Sequence, residues 1–280
     1  MNLLIDIGNT ACKIAFSTGN TIGKIIRYGG DDISSFIVRT IKKECNRQIP
    51  EVAVLSNVRK DDRELEEVLR TKCCRRLVVL DLDMVRSLLS EEGDVSDFEV
   101  LENMPDGMGA DRMAAILASN NLFPDKDLMV FDFGTATTVE YINGRRDAGL
   151  FDTPQKAKYL GGTISLGLNT RYKALSYYTQ RIPLLNPNDF LEKHNVLEIS
   201  TIGTDLDTSL AAGNILGIMF EIQGYMASHP DRTVIFTGGD AIYFADLLKR
   251  EGKNTIFVVY NLVLMGLSQI ARHYVETKNV

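Results

Sequence analysis

L-I-D-I-G-N-T-A-C-K-I at residues 4–14 and V-F-D-F-G-T-A-T-T-V-E at residues 130–140 share one pattern. Each is an apolar run, an Asp, one apolar residue, a Gly, a polar turn and a second run able to form a strand. Asp6 and Asp132 hold the same place in the two copies. The spacing predicts strands over 3–7 and 128–133, each stopped by a glycine turn, with returning strands over 13–16 and 138–142. A repeat of this kind implies two similarly folded lobes that face each other.

Outward from the first copy, turn residues Gly19-Asn20 precede a strand over 22–28. A helix over 31–44 follows, with Ile33, Phe36, Ile37 and Ile41 at helical spacing and Asp31 or Asp32 as its cap. Then come a strand over 52–55, a helix over 61–72, a strand over 77–80 and a short helix over 84–90. After the second copy, Asn143-Gly144 is a hairpin signal. Helices over 172–180 and 208–227, a strand over 233–236, a helix over 241–250, a strand over 255–259 and a helix over 262–276 complete the chain. Between the copies, residues 109–120 read as a helix with Met113, Ile116 and Leu117 on one face. The expected division is an N-terminal lobe over 1–108, a linking helix over 109–127 and a C-terminal lobe over 128–280.

The 280 residues are 45% hydrophobic and 24% charged, an ordinary globular balance with room for two lobes. Net charge is −6, and no long Lys/Arg cluster occurs, which argues against nucleic acid or anionic membrane as a partner. The start lacks a basic leader region, Asp6 interrupts its apolar run, and no stretch approaches the ~20 apolar residues that span a bilayer. Cys12, Cys45, Cys73 and Cys74 form no C-x-x-C pair and have no His at metal-ligand spacing, so reduced thiols in a cytoplasmic protein are expected.

A strand that ends in Asp-x-Gly and turns back presents backbone N–H groups, and small residues let phosphate oxygens approach them. The Asp repels phosphate but can hold a cation that binds it, such as Mg²⁺, directly or through water. One such turn is commonplace; two in matching context point to a clamp for a nucleotide polyphosphate. Val234–Ala241 reads V-I-F-T-G-G-D-A: either a tight strand-to-helix turn or, after two phosphate hairpins, an adenosine site in which Gly238 and Gly239 offer bare backbone to a flat ring. In M-G-A-D-R-M-A-A at 108–115, Asp111 and Arg112 open a helix. They form either a surface helix start or a site in which the carboxylate accepts a hydroxyl proton and the guanidinium holds a substrate carboxylate or carbonyl. His194, His229 and His273 lie outside every motif, and neither a G-x-x-x-x-G-K-[ST] loop nor a G-x-S-x-G elbow is present.

Together these segments resemble the type III pantothenate kinases, also described as Bvg accessory factor-like. The matching pieces are D-I-G-N-T at 6–10, S-N-V at 56–58, G-A-D-R at 109–112, D-F-G-T-A-T-T at 132–138, G-G-T-I at 161–164, T-Q-R-I-P at 179–183 and T-G-G-D-A at 237–241. They stand in family order across nearly the whole chain. The resemblance implies an α/β fold of two ribonuclease-H-like lobes, the actin/sugar-kinase superfold, with mixed sheets flanked by helices. It implies ATP-dependent phosphorylation of pantothenate at its terminal hydroxyl in coenzyme A biosynthesis, with Mg²⁺, a monovalent cation (K⁺ or NH₄⁺) and a homodimer. By position, Asp6, Ile7, Gly8, Asn9, Thr10, Ala11, Cys12 and Lys13 would bind ATP, with Thr135, Gly238 and Gly239. Asp111 would be the proton acceptor; Gly109, Ala110, Asp111, Arg112 and Thr179 would contact pantothenate. Asp132 would bind the monovalent cation.

Three departures stand out. Glu102 replaces a frequent Tyr, Ser165-Leu166-Gly167 replaces a Pro-Gly ending, and Glu140 replaces a common Asp. Two rival readings remain at this level: another small-molecule kinase of the superfold, and a nucleotide-dependent regulatory or binding protein.

Overall fold

The computed structural model describes residues 1–45, 48–59, 63–90, 103–147, 155–248 and 254–278, and the chain divides into two units. The first comprises Met1–Pro124, Arg145–Lys158 and Asn261–Val280; the second comprises Asp125–Gly144 and Tyr159–Tyr260.

In the first unit, β1 (Asn2–Ile7) and β2 (Cys12–Thr18) form an antiparallel hairpin with Asp6 opposite Lys13 and Ile7 opposite Cys12. The strand predicted over 22–28 is two pieces, β3 (Thr21–Ile22) and β4 (Ile26–Tyr28), both antiparallel to β2. The break falls at Gly23, whose amide donates to the Phe16 carbonyl. Helix α1 (Ile33–Glu44) starts at Asp32, whose carboxylate accepts from the Ser35 amide at 3.0 Å. Then follow β5 (Val52–Asn57), α2 (Arg63–Val68) running into a π turn at Leu69–Cys73, β6 (Arg76–Val79), α3 (Leu82–Ser90) and α4 (Ala110–Leu122). The sheet order is β3-β2-β1-β5-β6, with β5 parallel to both β1 and β6.

The second unit repeats that order. Its hairpin is β7 (Leu128–Phe133) and β8 (Ala136–Asn143), followed by β9 (Lys158–Leu166), α5 (Leu168–Tyr178) and α6 (Pro187–Leu191). Helix α7 (Leu206–Ala211) passes through a π turn at Ala212–Leu216 into α8 (Gly217–Ser228), so the long apolar helix expected there is present but underwound at its middle. Then come β10 (Thr233–Gly238), α9 (Ala241–Leu248) and β11 (Ile256–Val258), giving the sheet β11-β10-β7-β8-β9. In both units the hairpin's first strand is central, with two parallel strands on its other side. Strands buried on both faces need continuous apolar runs, which is why β1, β5, β7 and β10 are legible as such.

The cores differ in chemistry. Leu3, Ile5, Ile7, Ile14, Ile37 and Leu55 give the first an aliphatic interior. Phe131, Phe133, Phe236 and Phe244 give the second an aromatic one, with Phe236 edge-on to both Phe131 and Phe133 at 5.3 and 5.2 Å.

Three expectations are corrected. The last helix, α10 (Leu262–Thr277), packs in the first unit against α4 and β1, not with the C-terminal half. Gly266 makes this possible, since a side chain there would collide with the Ala114 backbone. Helix α4 is likewise part of the first unit, not a separate linker. Asn143-Gly144 does not make a tight hairpin: the next strand, β9, starts at Lys158. Gly144 serves close approach instead, because a Cβ there would lie 2.6 Å from the Lys126 nitrogen. Among the described residues no helix is long and apolar enough to cross a membrane. All four cysteines are free and buried, and burial pushes the thiols of Cys73 and Cys74 up to about 11.

Candidate active site

In the first unit the candidate residues gather where β1 ends. Asp6 is 6% exposed and sits between Lys13 on β2 and Ser56 on β5, which face it across the sheet. Its contacts are loose: Lys13 Nζ stands 3.9 Å from Oδ2, and the Ser56 hydroxyl donates to Oδ1 at 3.5 Å. Burial therefore dominates and pushes the carboxyl up to about 6. Lys13 and Ser56 pull it down, while the negative charge of Asp111 pushes it up further.

Residues 8–11 form the turn, closed by the Gly8 amide donating to the Ala11 carbonyl at 3.0 Å. Asn9 and Thr10 are exposed; Ile7 and Cys12 point into the core, so toward a nucleotide these two offer only backbone. The Cys12 thiol is pushed up to about 12 by burial and by the nearby Asp6 charge. The Arg59 guanidinium reaches the outer side of the turn, donating through Nε to the Gly8 carbonyl at 3.0 Å and through Nη2 to the Asn9 carbonyl at 3.4 Å.

Asp111 stands in the first turn of α4, behind the N-cap Gly109. Its carboxylate accepts from the Arg112 amide at 2.7 Å and folds back over Gly109, where an added Cβ would lie 2.7 Å from Oδ1. The Gly of G-A-D-R thus keeps space for the carboxylate of the same motif. Asp111 and Arg112 are half-buried. Glu102 lies outside the described residues.

In the second unit, Asp132 is half-buried near the end of β7, opposite Thr138 on β8 and Thr237 on β10. The turn is closed by the Gly134 amide donating to the Ala136 carbonyl at 3.0 Å, and Thr135 at its tip is exposed. Gly238 has φ +94°, and a Cβ there would lie 2.5 Å from Asp132 Oδ1 and collide with the Phe133 carbonyl. Nothing would meet a Cβ on Gly239 within 4 Å. Of the glycine pair, Gly238 is fixed by packing on β7 and Gly239 is the open surface.

Gly167 packs on the turn: its amide donates to the Thr135 carbonyl at 3.1 Å, and the Thr170 hydroxyl donates to the same oxygen at 2.6 Å. The departure at Ser165-Leu166 is absorbed locally. The Ser165 hydroxyl faces Glu221 at 3.3 Å, and Arg171 bridges the Leu166 carbonyl and Glu221 at 2.9 and 2.6 Å. Glu140 is buried and accepts from the Tyr159 hydroxyl at 2.8 Å. Thr179 caps α5, with its hydroxyl donated to the Leu175 carbonyl at 2.7 Å; its lone pairs still accept.

The structure thus brings Asp6, Lys13 and Asp111 into one electrostatic neighbourhood in the first unit, and Asp132 and Gly238 into another in the second. Sequence reasoning quoted Ser56 and Thr237 without a role and overlooked Thr170 and Arg59. One signal was available: Ser56 and Thr237 occupy matching places on the parallel strand beside each hairpin Asp.

A family model described as type III pantothenate kinase matches residues 2–228. A type III pantothenate kinase of Porphyromonas gingivalis is 31% identical over 98% of this chain and 99% of its own length. One from Bacteroides fragilis is 32% identical over 98% of each. Among solved structures, a Sinorhizobium meliloti protein described as a 2-dehydro-3-deoxygalactonokinase superposes with a TM-score of 0.58 at 12% identity, covering 98% of this chain and 99% of its own. That likeness bears on the fold alone, and the fold is the two-lobed actin/sugar-kinase superfold.

Proposed function

The chain belongs to the type III pantothenate kinase family and transfers a phosphoryl group from ATP to pantothenate in coenzyme A biosynthesis, and from that premise we propose how its residues divide the work. The observation that carries the proposal is the pairing of Asp6, at a phosphate-type turn, with Asp111, at a helix start, close enough for one charge to raise the other's pKa.

Asp111 accepts the proton of the pantothenate hydroxyl. Arg112, with the backbone of Gly109 and Ala110, holds the anionic acceptor, and Thr179 adds an accepting hydroxyl. In phosphoryl transfer the transition state is loose, so orienting the hydroxyl matters more than early proton removal. The amides of residues 9–12 and the Lys13 ammonium receive ATP phosphate oxygens, while the Gly8 amide closes the turn on the Ala11 carbonyl. Thr135 offers a hydroxyl to the nucleotide, and Gly238 and Gly239 receive the adenosine.

The donor set fits Mg²⁺: Asp6 is a buried carboxylate with loose partners and a second carboxylate nearby, so a divalent ion relieves both. Among the described residues no cluster of three or more His, Cys, Asp or Glu could hold a metal, so the ion would rely on phosphate and water oxygens as well. When bound it supplies neutralisation of phosphate charge. Asp132, flanked by Gly134 and Gly238, is the residue that would hold K⁺ or NH₄⁺.

Homodimerisation belongs to the same proposal. Leu160, Ile164 and Leu166 stand in a row on the outer strand β9 at 47%, 65% and 50% exposure, an apolar face suited to a second copy. A cytoplasmic location, with neither nucleic acid nor membrane as partner, completes it. The test is ADP release that depends on pantothenate, with 4′-phosphopantothenate identified by mass. Release indifferent to pantothenate but stimulated by a sugar contradicts the acceptor assignment.

A further inference from the structure

We propose that Arg59 is a positioning residue that sets the direction of the backbone amides in the first turn. In a planar trans peptide, the carbonyl of one residue and the N–H of the next point to opposite sides. Arg59 Nε holds the Gly8 carbonyl at 3.0 Å, which turns the Asn9 N–H the other way. Nη2 holds the Asn9 carbonyl at 3.4 Å and so directs the Thr10 N–H likewise. The Gly8 amide is itself committed to the Ala11 carbonyl. One rigid fork therefore aims two successive amides of a glycine-containing turn, a task for which a guanidinium is suited and an ammonium is not.

The end of β5 delivers the fork. The Val58 amide donates to the Ile7 carbonyl at 3.1 Å, and the Asn57 side chain accepts from the Arg59 amide at 2.9 Å, bending the chain back toward the turn. Ser56, Asn57 and Arg59 thereby act on the hairpin together, Ser56 through Asp6. The second unit performs the same task by other means: the Gly167 amide and the Thr170 hydroxyl hold the Thr135 carbonyl. Two unrelated devices for holding turn carbonyls from behind indicate that the turns need it. Arg59 preorganises the amides before the ligand arrives, so the ordering cost is not charged to binding.

This inference rests on the reading that the turn at residues 8–11 receives ATP phosphates. The experiment compares ATP and adenosine affinities by calorimetry for wild type, Arg59→Gln, Arg59→Lys and Lys13→Met, each with thermal midpoint measured. Arg59→Gln is expected to raise the ATP Kd about tenfold, the worth of one or two charge-assisted hydrogen bonds, while the adenosine Kd stays within about twofold. Arg59→Lys is expected to behave nearly as badly, and it carries the test if the Gln variant does not fold. An unchanged ATP Kd in Arg59→Gln, parallel losses of ATP and adenosine, or full recovery in Arg59→Lys overturns the proposal. If Lys13→Met loses ATP affinity while Arg59→Gln does not, only the role of Arg59 falls. If neither does, the reading of the turn falls with it.

Discussion

The two hairpins share a topology and an Asp-x-Gly turn but differ in what surrounds the Asp. In the first, Asp6 is buried, faces a lysine across the strands and feels the charge of Asp111. In the second, Asp132 is half-buried and faces threonines on both sides. The first turn has four residues between the paired Ile7 and Cys12; the second has three between Phe133 and Thr137. That extra residue puts Lys13 opposite Asp6, where the second copy has Thr138 opposite Asp132. In the proposed division of work, the first copy receives the highly charged load and the second a singly charged ion.

The sharpest way to break this comparison acts on the acceptor side of the first unit. Asp111→Asn keeps size and hydrogen bonding but removes basicity. It is expected to lower kcat by about 10²–10⁴, with the ATP Kd nearly unchanged by calorimetry. Near wild-type turnover would make Asp111 a substrate contact only.

Asp6→Asn is expected to act differently, weakening Mg²⁺-dependent ATP binding about 10- to 100-fold and raising KM for ATP, because it removes a carboxylate from the cation's surroundings. The same substitution should stabilise the ligand-free protein. The Asp6 carboxyl is raised from 3.8 to about 6, so stability from this group is full below pH 3.8 and lost as pH rises through 6. At pH 7.5 the charged form therefore costs about 3 kcal/mol, which Asn avoids. Urea denaturation from pH 3.5 to 7.5 checks this: wild type should lose stability relative to Asp6→Asn across that window. Parallel curves would mean that Asp6 is not strained by its burial.

Glycines sharpen the comparison at smaller scale. Gly238→Ala forces a side chain onto Phe133 at φ +94° and is expected to cost about 1–3 kcal/mol by urea denaturation. Gly8→Ala, whose Cβ would meet only the Ala11 carbonyl at 3.5 Å, should cost less than about 1 kcal/mol. A reversed order would contradict the close packing of β10 on β7.

Most of this was legible in the sequence, for physical reasons that also mark its limits. Central strands buried on both faces announced themselves as apolar runs, and the Asp-x-Gly pair located both turns. Strand β9 escaped because Gly161-Gly162 interrupts its pattern and its apolar residues, Leu160, Ile164 and Leu166, lie on the exposed side. The unit of α10 escaped because amphipathic spacing gives a buried face but no partner; Gly266 against Ala114 identifies the partner only when both are seen. In the site, residues that hold the turns carry no motif: Arg59 and Thr170 act through backbone carbonyls, which any sequence supplies.

The division of labour between the hairpins is tested most directly by calorimetric ATP titrations of Asp6→Asn and Asp132→Asn, each with and without Mg²⁺ and in K⁺ or Na⁺ buffers. Asp6→Asn should lose the Mg²⁺-dependent part of the affinity in both buffers, and Asp132→Asn should lose only the increment that K⁺ gives over Na⁺. Equal losses in the two variants, or a wild type indifferent to the choice of K⁺ or Na⁺, would contradict the account.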